Sequence, residues 1–244
     1  MVQKFKVVLQ EKINLSDSTQ HFRFAVEDRG DFIYKAGQFI SLHIDRDGKE
    51  HRRNYSIANT PLNDNIVEMA MTYLPNGLAS TLLYNMQPGD TLTASGPYGQ
   101  FVLKDEVLPK RYLLIGTGTG ITPYRSMLPE LDNLLDNNPL EVVILEGVRS
   151  PEHLLYGGDF VEFAARHSNV QFKACYSRDY PSQPQGYEVS GYVQNHLADL
   201  NIDPEGDIAY LCGNPNMVDE AFNKLVALGL DRKRIRREKY LSSK

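Results

Sequence analysis

The sequence predicts two domains, an antiparallel β-barrel domain followed by an α/β domain built on a parallel sheet. Its 244 residues suit one large domain or two of ordinary size. Roughly the first hundred residues alternate apolar and polar side chains between turns, as antiparallel strands with one buried face do. From about residue 107 onward, apolar strand patterns and helical patterns take turns, which predicts parallel strands joined by helices. For the first domain, a sandwich stays open as the alternative to a barrel.

The period-two pattern of the first domain is clearest in three segments, residues 21–26, 38–44 and 66–73. A further strand contains residues 53–56, and residues 78–86, directly after Gly77, are the helical candidate. Residues 96–101 read as a turn at the domain boundary.

In the second domain, four strands are predicted at residues 111–115, 141–145, 170–176 and 207–212. Helices are predicted at residues 121–135, 159–167, 193–200 and 217–228. The boundary falls between Gly99 and Lys110, so we assign residues 1–104 to the first domain and 105–244 to the second.

Composition and charge exclude several classes of protein. The 26 Lys and Arg against 31 Asp and Glu give a net charge of −5, which argues against general nucleic-acid binding. No run approaches the roughly 20 apolar residues of a membrane span, and the first residues lack the apolar core of a secretory signal. Cys175 and Cys212 are too few for a four-thiolate metal site. We therefore expect a soluble, cytoplasmic protein without a resident metal.

The strongest local motif is G-T-G-T-G-I-T-P, which begins at Gly116 and ends at Pro123. It follows a predicted buried strand and opens a predicted helix, where glycines let the backbone approach a phosphate and the helix start offers free N–H groups. It departs from the common dinucleotide fingerprint because the third glycine would fall on Ile121. A plain glycine turn is the alternative interpretation.

Three weaker clusters accompany this loop. R-N-Y-S at residues 53–56 could by itself be an exposed, charged strand edge. G-L-A-S at residues 77–80 is a second possible anion site at a helix start. C-G-N-P-N-M, which begins at Cys212, ends a predicted parallel strand, where ligands of open α/β sheets bind. A buried structural thiol is the alternative there.

In this order and at these separations, the four motifs resemble the ferredoxin–NADP(H) reductase superfamily, and the resemblance covers essentially the whole chain. It implies a flavin-binding barrel domain and a nicotinamide-nucleotide domain, with FAD and NADPH as cofactors. The implied reaction passes a hydride from NADPH to the flavin and then electrons to a one-electron carrier, a ferredoxin or flavodoxin. The compact length is similar to the stand-alone bacterial reductases.

The resemblance assigns roles to residues of the first domain. Arg53 would hold the flavin pyrophosphate, Tyr55 would stack on one face of the flavin ring, and Ser56 would lie near the flavin N5. The remaining FAD-binding residues implied by the resemblance are Asn54, Thr72, Tyr73, Gly77, Leu78, Ala79 and Ser80.

In the second domain, the resemblance lets Thr117, Gly118 and Thr119 line the slot where nicotinamide meets flavin. Cys212 would pack near the nicotinamide. The family's terminal E-x-Y element matches Glu238, which would assist proton movement, and Tyr240, which would cover the other flavin face. The catalytic residues implied by the resemblance are Ser56, Cys212, Glu238 and Tyr240. The chain continues to Lys244, so the path of its last four residues is open.

Preference for NADPH is expected from cations near the adenosine ribose. Ser177 and Arg178 match the position where relatives bind the 2′-phosphate, with Arg149 as a second arginine, and Tyr192 falls where relatives stack a tyrosine on adenine. Two solvated strand-end arginines are the alternative, and Glu146 could still favour NADH.

The expected partner is an acidic electron-carrier protein. Residues 231–244 hold seven Lys and Arg against two acidic residues, a local charge of +5 on an acidic chain. A solvated basic chain end is the alternative interpretation. We expect a monomer, and two rival functions stay open: the reductase component of an oxygenase system, and a free-flavin reductase.

Overall fold

The computed structural model of the protein describes residues 3–103 and 108–241. The described residues form two compact units. The first contains the chain up to Leu103 together with Thr122–Met127, and the second contains the remaining described residues. Part of the boundary region predicted above, residues 104–107, lies outside the described residues, as do the last three residues of the chain.

The first unit is a six-stranded antiparallel sheet in the order β4-β3-β6-β1-β2-β5. Its elements are β1 (Lys4–Asn14), β2 (Thr19–Glu27), β3 (Phe39–Arg46), β4 (Lys49–Ser56), β5 (Ile66–Thr72), helix α1 (Leu78–Asn85) and β6 (Thr91–Tyr98). The segment after β4 reaches β5 at the other end of this order, where the Ala58 N–H donates to the Glu68 carbonyl at 2.8 Å. This contact joins the two ends of the strand order, and the predicted barrel is confirmed.

The core of the first unit follows the predicted alternation. Phe22 and Phe24 of β2 face Met69 and Val67 of β5 in register, and all four are fully buried. Leu42 of β3 belongs to the same core cluster. The period of two therefore predicts the inward face of these strands correctly.

The second unit is a six-stranded parallel sheet in the order β10-β9-β8-β7-β11-β12. Its strands are β7 (Arg111–Thr117), β8 (Glu141–Val148), β9 (Val170–Tyr176), β10 (Glu188–Ser190), β11 (Asp207–Gly213) and β12 (Ile235–Lys239). The helices are α2 (Thr122–Asn137), which begins within the first unit, α3 (Gly157–Arg166) and α4 (Pro215–Ala227). The order reverses between β7 and β11, and such a switch point is where open α/β sheets bind ligands.

Both faces of the parallel sheet are covered, as predicted. On one face Leu113 and Ala209 pack in a cluster with Val218 of α4. On the other face Phe160 of α3 stacks on Phe172 of β9, with ring centroids 5.5 Å apart. The parallel sheet therefore lies between two layers of helices and turns.

Three local predictions differ from the structure. Residues 193–200 form two 3₁₀ turns, Val193–His196 and Ala198–Leu200, instead of one helix, because Asn, His and Asp within this short segment are poor helix formers. The predicted turn at residues 96–101 begins inside β6, which continues to Tyr98. Strands β1, β6, β10 and β12 were not among the predicted strands; β10 and β12 are edge strands of few or charged residues that lack an apolar run. Among the helices described, none has the length and apolar character needed to cross a membrane.

Candidate functional site

The R-N-Y-S motif forms the end of β4 in the first unit. Tyr55 packs against the barrel core, and burial raises the pKa of its hydroxyl to about 12. Ser56 is buried, and Asn54 accepts a hydrogen bond of 2.5 Å from the Ser41 hydroxyl. The Arg53 guanidinium is half-buried and donates to the carbonyl of the preceding residue at 2.8 Å. The motif thus presents a cation and an aromatic ring from one strand end.

The G-L-A-S motif is the start of α1. The first helical hydrogen bond runs from the Thr81 N–H to the Gly77 carbonyl at 2.9 Å. The N–H groups of Leu78, Ala79 and Ser80 precede this bond and lie at the positive end of the helix. This arrangement suits a bound anion.

Gly77 and Ser80 fix the loop that enters α1. The Ser80 hydroxyl donates to the Leu74 carbonyl at 2.7 Å, and a Cβ at Gly77 would lie 2.6 Å from the same hydroxyl oxygen. A larger residue than glycine would therefore displace this loop. The Ser80 hydroxyl stabilises the loop and is already engaged.

Thr72 ends β5, and Tyr73 follows it just before this loop. The Thr72 hydroxyl lies 2.9 Å from that of Thr19, and the Tyr73 ring packs on the Tyr84 ring of α1 with centroids 5.1 Å apart. Both tyrosines are exposed. They form an aromatic surface that joins the segment after β5 to the last turn of α1, and only Tyr73 of this pair was among the predicted site residues.

In the second unit, the glycine-rich loop packs tightly against the end of β11. A Cβ at Gly120 would collide with the Cys212 carbonyl, and one at Gly213 would lie 2.6 Å from the Thr117 carbonyl. The Asn214 N–H donates to the Thr117 hydroxyl at 3.0 Å. These contacts require glycine at both positions, and they hold the two loops at the switch point together. Gly120 was not among the predicted site residues, although the motif contains it.

Gly118 and Thr119 lie in a 3₁₀ turn, Gly118–Ile121, between β7 and α2. Gly118 has a φ of +52°, which favours glycine, and its Cβ position has no neighbouring atom within 4 Å. The backbone at Gly118 is therefore open to a ligand, unlike that at Gly120.

Cys212, Glu238 and Tyr240 come together at the ends of β11 and β12. The parallel register places Glu238 opposite Cys212, and the Tyr240 N–H donates to the Gly213 carbonyl at 2.8 Å. Burial and the nearby Glu238 carboxylate raise the pKa of the Cys212 thiol well above its usual value, and a hydrogen bond from the Tyr240 side chain opposes them. Burial raises the pKa of Glu238 to about 7. The cluster thus contains a neutral thiol and a carboxyl group that titrates near neutral pH.

Arg149 and Arg178 are neighbours at the ends of β8 and β9. The Arg178 N–H donates to the Arg149 carbonyl at 3.0 Å, and the Ser177 hydroxyl donates to the Val148 carbonyl at 3.2 Å. Both arginine side chains are exposed, and Tyr192, in the next loop along this edge, is 57% exposed. The structure therefore brings two cations, a hydroxyl and an aromatic ring to one edge of the sheet.

Glu146 does not reach this edge. Its side chain is fully buried, its Oε1 accepts a hydrogen bond of 2.8 Å from the Leu155 N–H, and burial raises its pKa well above the usual value. The expectation that Glu146 could bind a ribose is corrected, because the carboxyl points into the protein.

The basic segment near the end of the chain is only partly free. The Arg237 guanidinium lies 3.9 Å from the Phe222 ring centroid, and Lys239 forms an ion pair of 2.7 Å with Asp219. Arg232 and Lys233 are exposed. Within the described ranges, no three His, Cys, Asp or Glu side chains group as a metal site.

Comparison with known families gives two successive matches. The oxidoreductase FAD-binding domain matches residues 6–103. The oxidoreductase NAD-binding domain matches residues 114–222. The first match lies on the barrel and the second begins in β7 and ends within α4.

Individual relatives cover the chain to different extents. Ferredoxin–NADP reductase B of Sorangium cellulosum is 32% identical over 234 residues, which are 93% of this chain and 93% of that protein. The reductase component of propane 2-monooxygenase from Mycolicibacterium goodii is 35% identical over 204 residues, and the match covers 81% of this chain and 56% of that protein. The chain thus spans little more than half the length of this second relative. The crystal structure of the Amycolatopsis cytochrome P450 reductase GcoB superposes with a TM-score of 0.84 at 27% identity, over 99% of this chain and 71% of that one.

Proposed function

Because this chain belongs to the ferredoxin–NADP(H) reductase superfamily, we propose that it transfers electrons from NADPH, through FAD, to a one-electron carrier protein. The carrier is a ferredoxin or a flavodoxin. The observation that carries the proposal is the pairing of Cys212 and Glu238 at the sheet's switch point, beside the open backbone of Gly118. We take residues 1–104 as the FAD-binding domain and 105–244 as the NADP(H)-binding domain.

Residues of the first unit fit FAD. Arg53 and the N–H groups at the start of α1 supply the positive charge that a pyrophosphate needs. Tyr55 supplies an aromatic face, and the exposed ring pair of Tyr73 and Tyr84 supplies a second one for the adenine end of a dinucleotide. A mononucleotide flavin would leave that second surface unused, so this set favours FAD over FMN.

Residues of the second unit fit NADPH. Thr117, Gly118 and Thr119 border the open backbone that suits nicotinamide. The exposed Arg149 and Arg178 suit a 2′-phosphate, since charge-assisted hydrogen bonds to phosphate are among the stronger polar contacts. The burial of Glu146 supports NADPH as well, because that carboxylate does not oppose the phosphate.

FAD, when bound, supplies the chemistry of accepting a hydride and releasing electrons one at a time. The chain's own residues orient the reactants, and one of them accepts and donates a proton. Cys212 stays a small neutral thiol that packs without adding charge. Glu238 takes up or releases a proton near pH 7. Ser56 places a hydroxyl at the end of β4, and the Tyr240 side chain hydrogen-bonds to the thiol.

A second candidate function is the reductase component of an oxygenase system. The 35% identity with the propane 2-monooxygenase reductase favours it. The same FAD and nicotinamide chemistry serves both functions, so the difference lies in the acceptor. We favour the free carrier protein because the relative that matches this chain over 93% of both lengths is a ferredoxin–NADP reductase.

The proposal is tested first by the purified protein's absorbance spectrum and by chromatography of the extracted chromophore. One FAD per chain is expected, whereas recovery of FMN alone, or a colourless protein, contradicts the FAD assignment and favours a free-flavin reductase. Anaerobic titration then compares bleaching of the flavin by NADPH and by NADH. Bleaching at lower concentrations of NADPH supports the NADPH assignment, and the reverse order contradicts it.

The acceptor is tested by steady-state reduction of four compounds: an acidic [2Fe–2S] ferredoxin, a flavodoxin, free FMN and ferricyanide. Ferricyanide reports the flavin reaction alone and serves as the control. A higher kcat/KM for one of the two proteins than for free FMN supports the carrier assignment. Equal or higher kcat/KM for free FMN contradicts it.

A further inference from the structure

A buried charge cluster on the first unit lies outside all the sites described above. Its centre is the Glu68 carboxylate of β5, which accepts from the Arg23 guanidinium at 2.9 Å and from the Arg125 guanidinium at 3.0 Å. The His21 Nε2 lies 3.5 Å from the same carboxylate. Two arginines and a histidine therefore surround one carboxylate that is only 9% exposed.

The position of Glu68 on the outer side of the barrel makes this burial informative. Val67 and Met69 belong to the barrel core, so the intervening Glu68 points away from it. An outward carboxylate is normally solvated, because burying a charge is costly unless it is paired. Here the first turns of α2, which belong to this unit, supply one of the partners.

Arg125 makes the contact from α2 with two acceptors. One guanidinium nitrogen, Nη1, donates to Glu68 and also to the Ala58 carbonyl, at 3.1 Å. Ala58 lies two residues beyond Ser56, at the end of the R-N-Y-S strand. Arg125 thus ties the first turns of α2 to strand β5 and to the segment that follows β4.

The neighbours of Arg125 fix the same turns. The Gly37 N–H donates to the buried Ser126 hydroxyl at 3.0 Å, and that hydroxyl donates to the Pro123 carbonyl at 2.7 Å. Gly37 has a φ of +90°, and a Cβ there would collide with the Phe101 carbonyl oxygen and also meet the terminal methyl of Met127. An apolar contact could bury this surface, but directed hydrogen bonds and an ion pair also fix the orientation of the helix start.

The first turns of α2 directly follow the Gly118–Ile121 turn, which the proposed function assigns to nicotinamide. The 3₁₀ turn Gly118–Ile121 ends one residue before α2 begins at Thr122, and Arg125 lies in the first turn of that helix. The contacts that fix the direction of α2 at Arg125 therefore also limit the conformational freedom of the backbone at Gly118.

We propose that Arg125 is a positioning residue for hydride transfer: through Glu68 and the Ala58 carbonyl it holds the start of α2, and with it the Gly118–Ile121 turn, in the orientation that nicotinamide requires. The effect on hydride transfer rests on the proposed function. The ordering of the Gly118–Ile121 turn by Arg125 does not depend on that function.

The test compares Arg125→Gln with Arg23→Gln. Both variants remove one arginine from Glu68, but only Arg125 lies on α2, so Arg23→Gln controls for the loss of a charge partner. Hydrogen exchange of peptides covering residues 118–127 measures the order of the turn. Anaerobic stopped-flow measures the limiting rate of flavin reduction by NADPH and the Kd for NADPH, and ferricyanide reduction after photochemical flavin reduction serves as a nucleotide-independent control.

We expect faster exchange of residues 118–127 in Arg125→Gln than in Arg23→Gln. We also expect a limiting rate lowered by about 10- to 100-fold in Arg125→Gln alone, because small displacements of reacting groups are that costly. The Kd for NADPH and the ferricyanide rate should change much less. Arg125→Lys keeps the positive charge but loses the planar set of guanidinium N–H donors, so it should recover part of the rate. This variant also provides the comparison if Arg125→Gln does not fold.

Equal exchange and equal rates in the two glutamine variants would overturn the proposal and leave Arg125 as a charge partner only. If neither NADPH nor NADH reduces the flavin of the unaltered protein, the proposed function fails. The exchange comparison still decides in that case whether Arg125 orders the turn.

Discussion

Glu238 lies directly opposite Cys212 across the parallel pair of β11 and β12, and its buried Oε2 has no hydrogen-bond partner among the described residues. A carboxylate without a partner is stabilised poorly when buried, so the protonated form is favoured and the pKa rises to about 7. The ionised form in turn raises the pKa of the Cys212 thiol. The pair therefore changes its charge near neutral pH through Glu238 and not through the thiol.

Glu238→Gln should remove part of the pH dependence of stability. The folded-state pKa of about 7 lies above the usual 4.5, so the folded protein holds this proton more tightly than the unfolded chain. The contribution of Glu238 is fully present below about pH 4.5 and is lost as the pH rises toward 7. Between pH 5 and pH 8 the unaltered protein should lose about 1–3 kcal/mol relative to the variant.

Urea unfolding of both proteins at the two pH values measures this difference. Glu205→Gln, at an exposed carboxylate, controls for the loss of a charge. Identical changes in the free energy of unfolding for the Glu238 variant and the unaltered protein would show that Glu238 is ionised already at pH 5.

Gly120→Ala should destabilise the second unit and weaken nucleotide binding. The added Cβ would overlap the Cys212 carbonyl, which belongs to a strand that cannot move aside easily, so a cost of about 1–3 kcal/mol is expected from overpacking. Gly158→Ala is the matched control, because no atom lies within 4 Å of its Cβ position in the first turn of α3. That variant should be neutral or stabilised by about 0.4–1 kcal/mol. Thermal unfolding compares them, and equal Tm values would contradict the close packing described at Gly120.

The sequence predicts what depends on local pattern. The alternation around Phe22 and Met69 identifies the barrel face, and the glycine loop after β7 identifies the switch point, because both signals lie within a few neighbouring residues. The resemblance brought Cys212 and Glu238 together by role, but residue pattern alone did not. Strand β12 places Glu238 opposite Cys212, but its sequence is rich in charged residues and does not predict a strand.

Contacts across long separations were missed for a similar reason. Arg125 and Glu68 are 57 residues apart, and neither periodicity nor spacing indicates that a helix start meets that strand. Glu146 was misjudged because its position after a strand core is compatible with either direction of the side chain. The Glu146 carboxyl is buried because the later segment containing Leu155 packs on it and donates a hydrogen bond to it. The residues next to Glu146 in the sequence do not indicate this contact.

Arg178→Ala should separate NADPH from NADH. Loss of one charge-assisted contact to a phosphate costs about 1.5–3 kcal/mol, so the Kd for NADPH should rise by roughly 10- to 100-fold. The Kd for NADH, which lacks the 2′-phosphate, should change little. Arg166→Ala is the control, because that arginine pairs with Asp132 and Glu162 away from this edge. Equal weakening of both nucleotides by Arg178→Ala would show that Arg178 does not bind the 2′-phosphate.

Reduction of an acidic carrier protein should depend on the exposed part of the basic segment. The side chains of Arg232, Lys233, Arg237 and Lys239 are all exposed. Arg237, however, lies 3.9 Å from the Phe222 ring centroid and Lys239 pairs with Asp219, whereas Arg232 lies 5.8 Å from that centroid. The double variant Arg232→Ser and Lys233→Ser therefore removes two positive charges and only the longer of the two arginine contacts with the Phe222 ring. Its rate of carrier reduction at low salt should fall, because complementary charges steer the encounter of two proteins.

Salt separates steering from other causes of a slower rate. The screening length shortens from about 10 Å at 0.1 M to about 3 Å at 1 M, so the advantage of the unaltered protein should disappear as salt is added. A double variant of Arg46 and Lys49 to Ser, an exposed pair at the two strand ends that flank the turn between β3 and β4, removes the same charge elsewhere and is the matched control. It should keep the steep salt dependence that the Arg232 and Lys233 variant loses. If both double variants respond to salt alike, the charge of the whole protein steers the carrier, and the segment near residue 232 is not its docking surface.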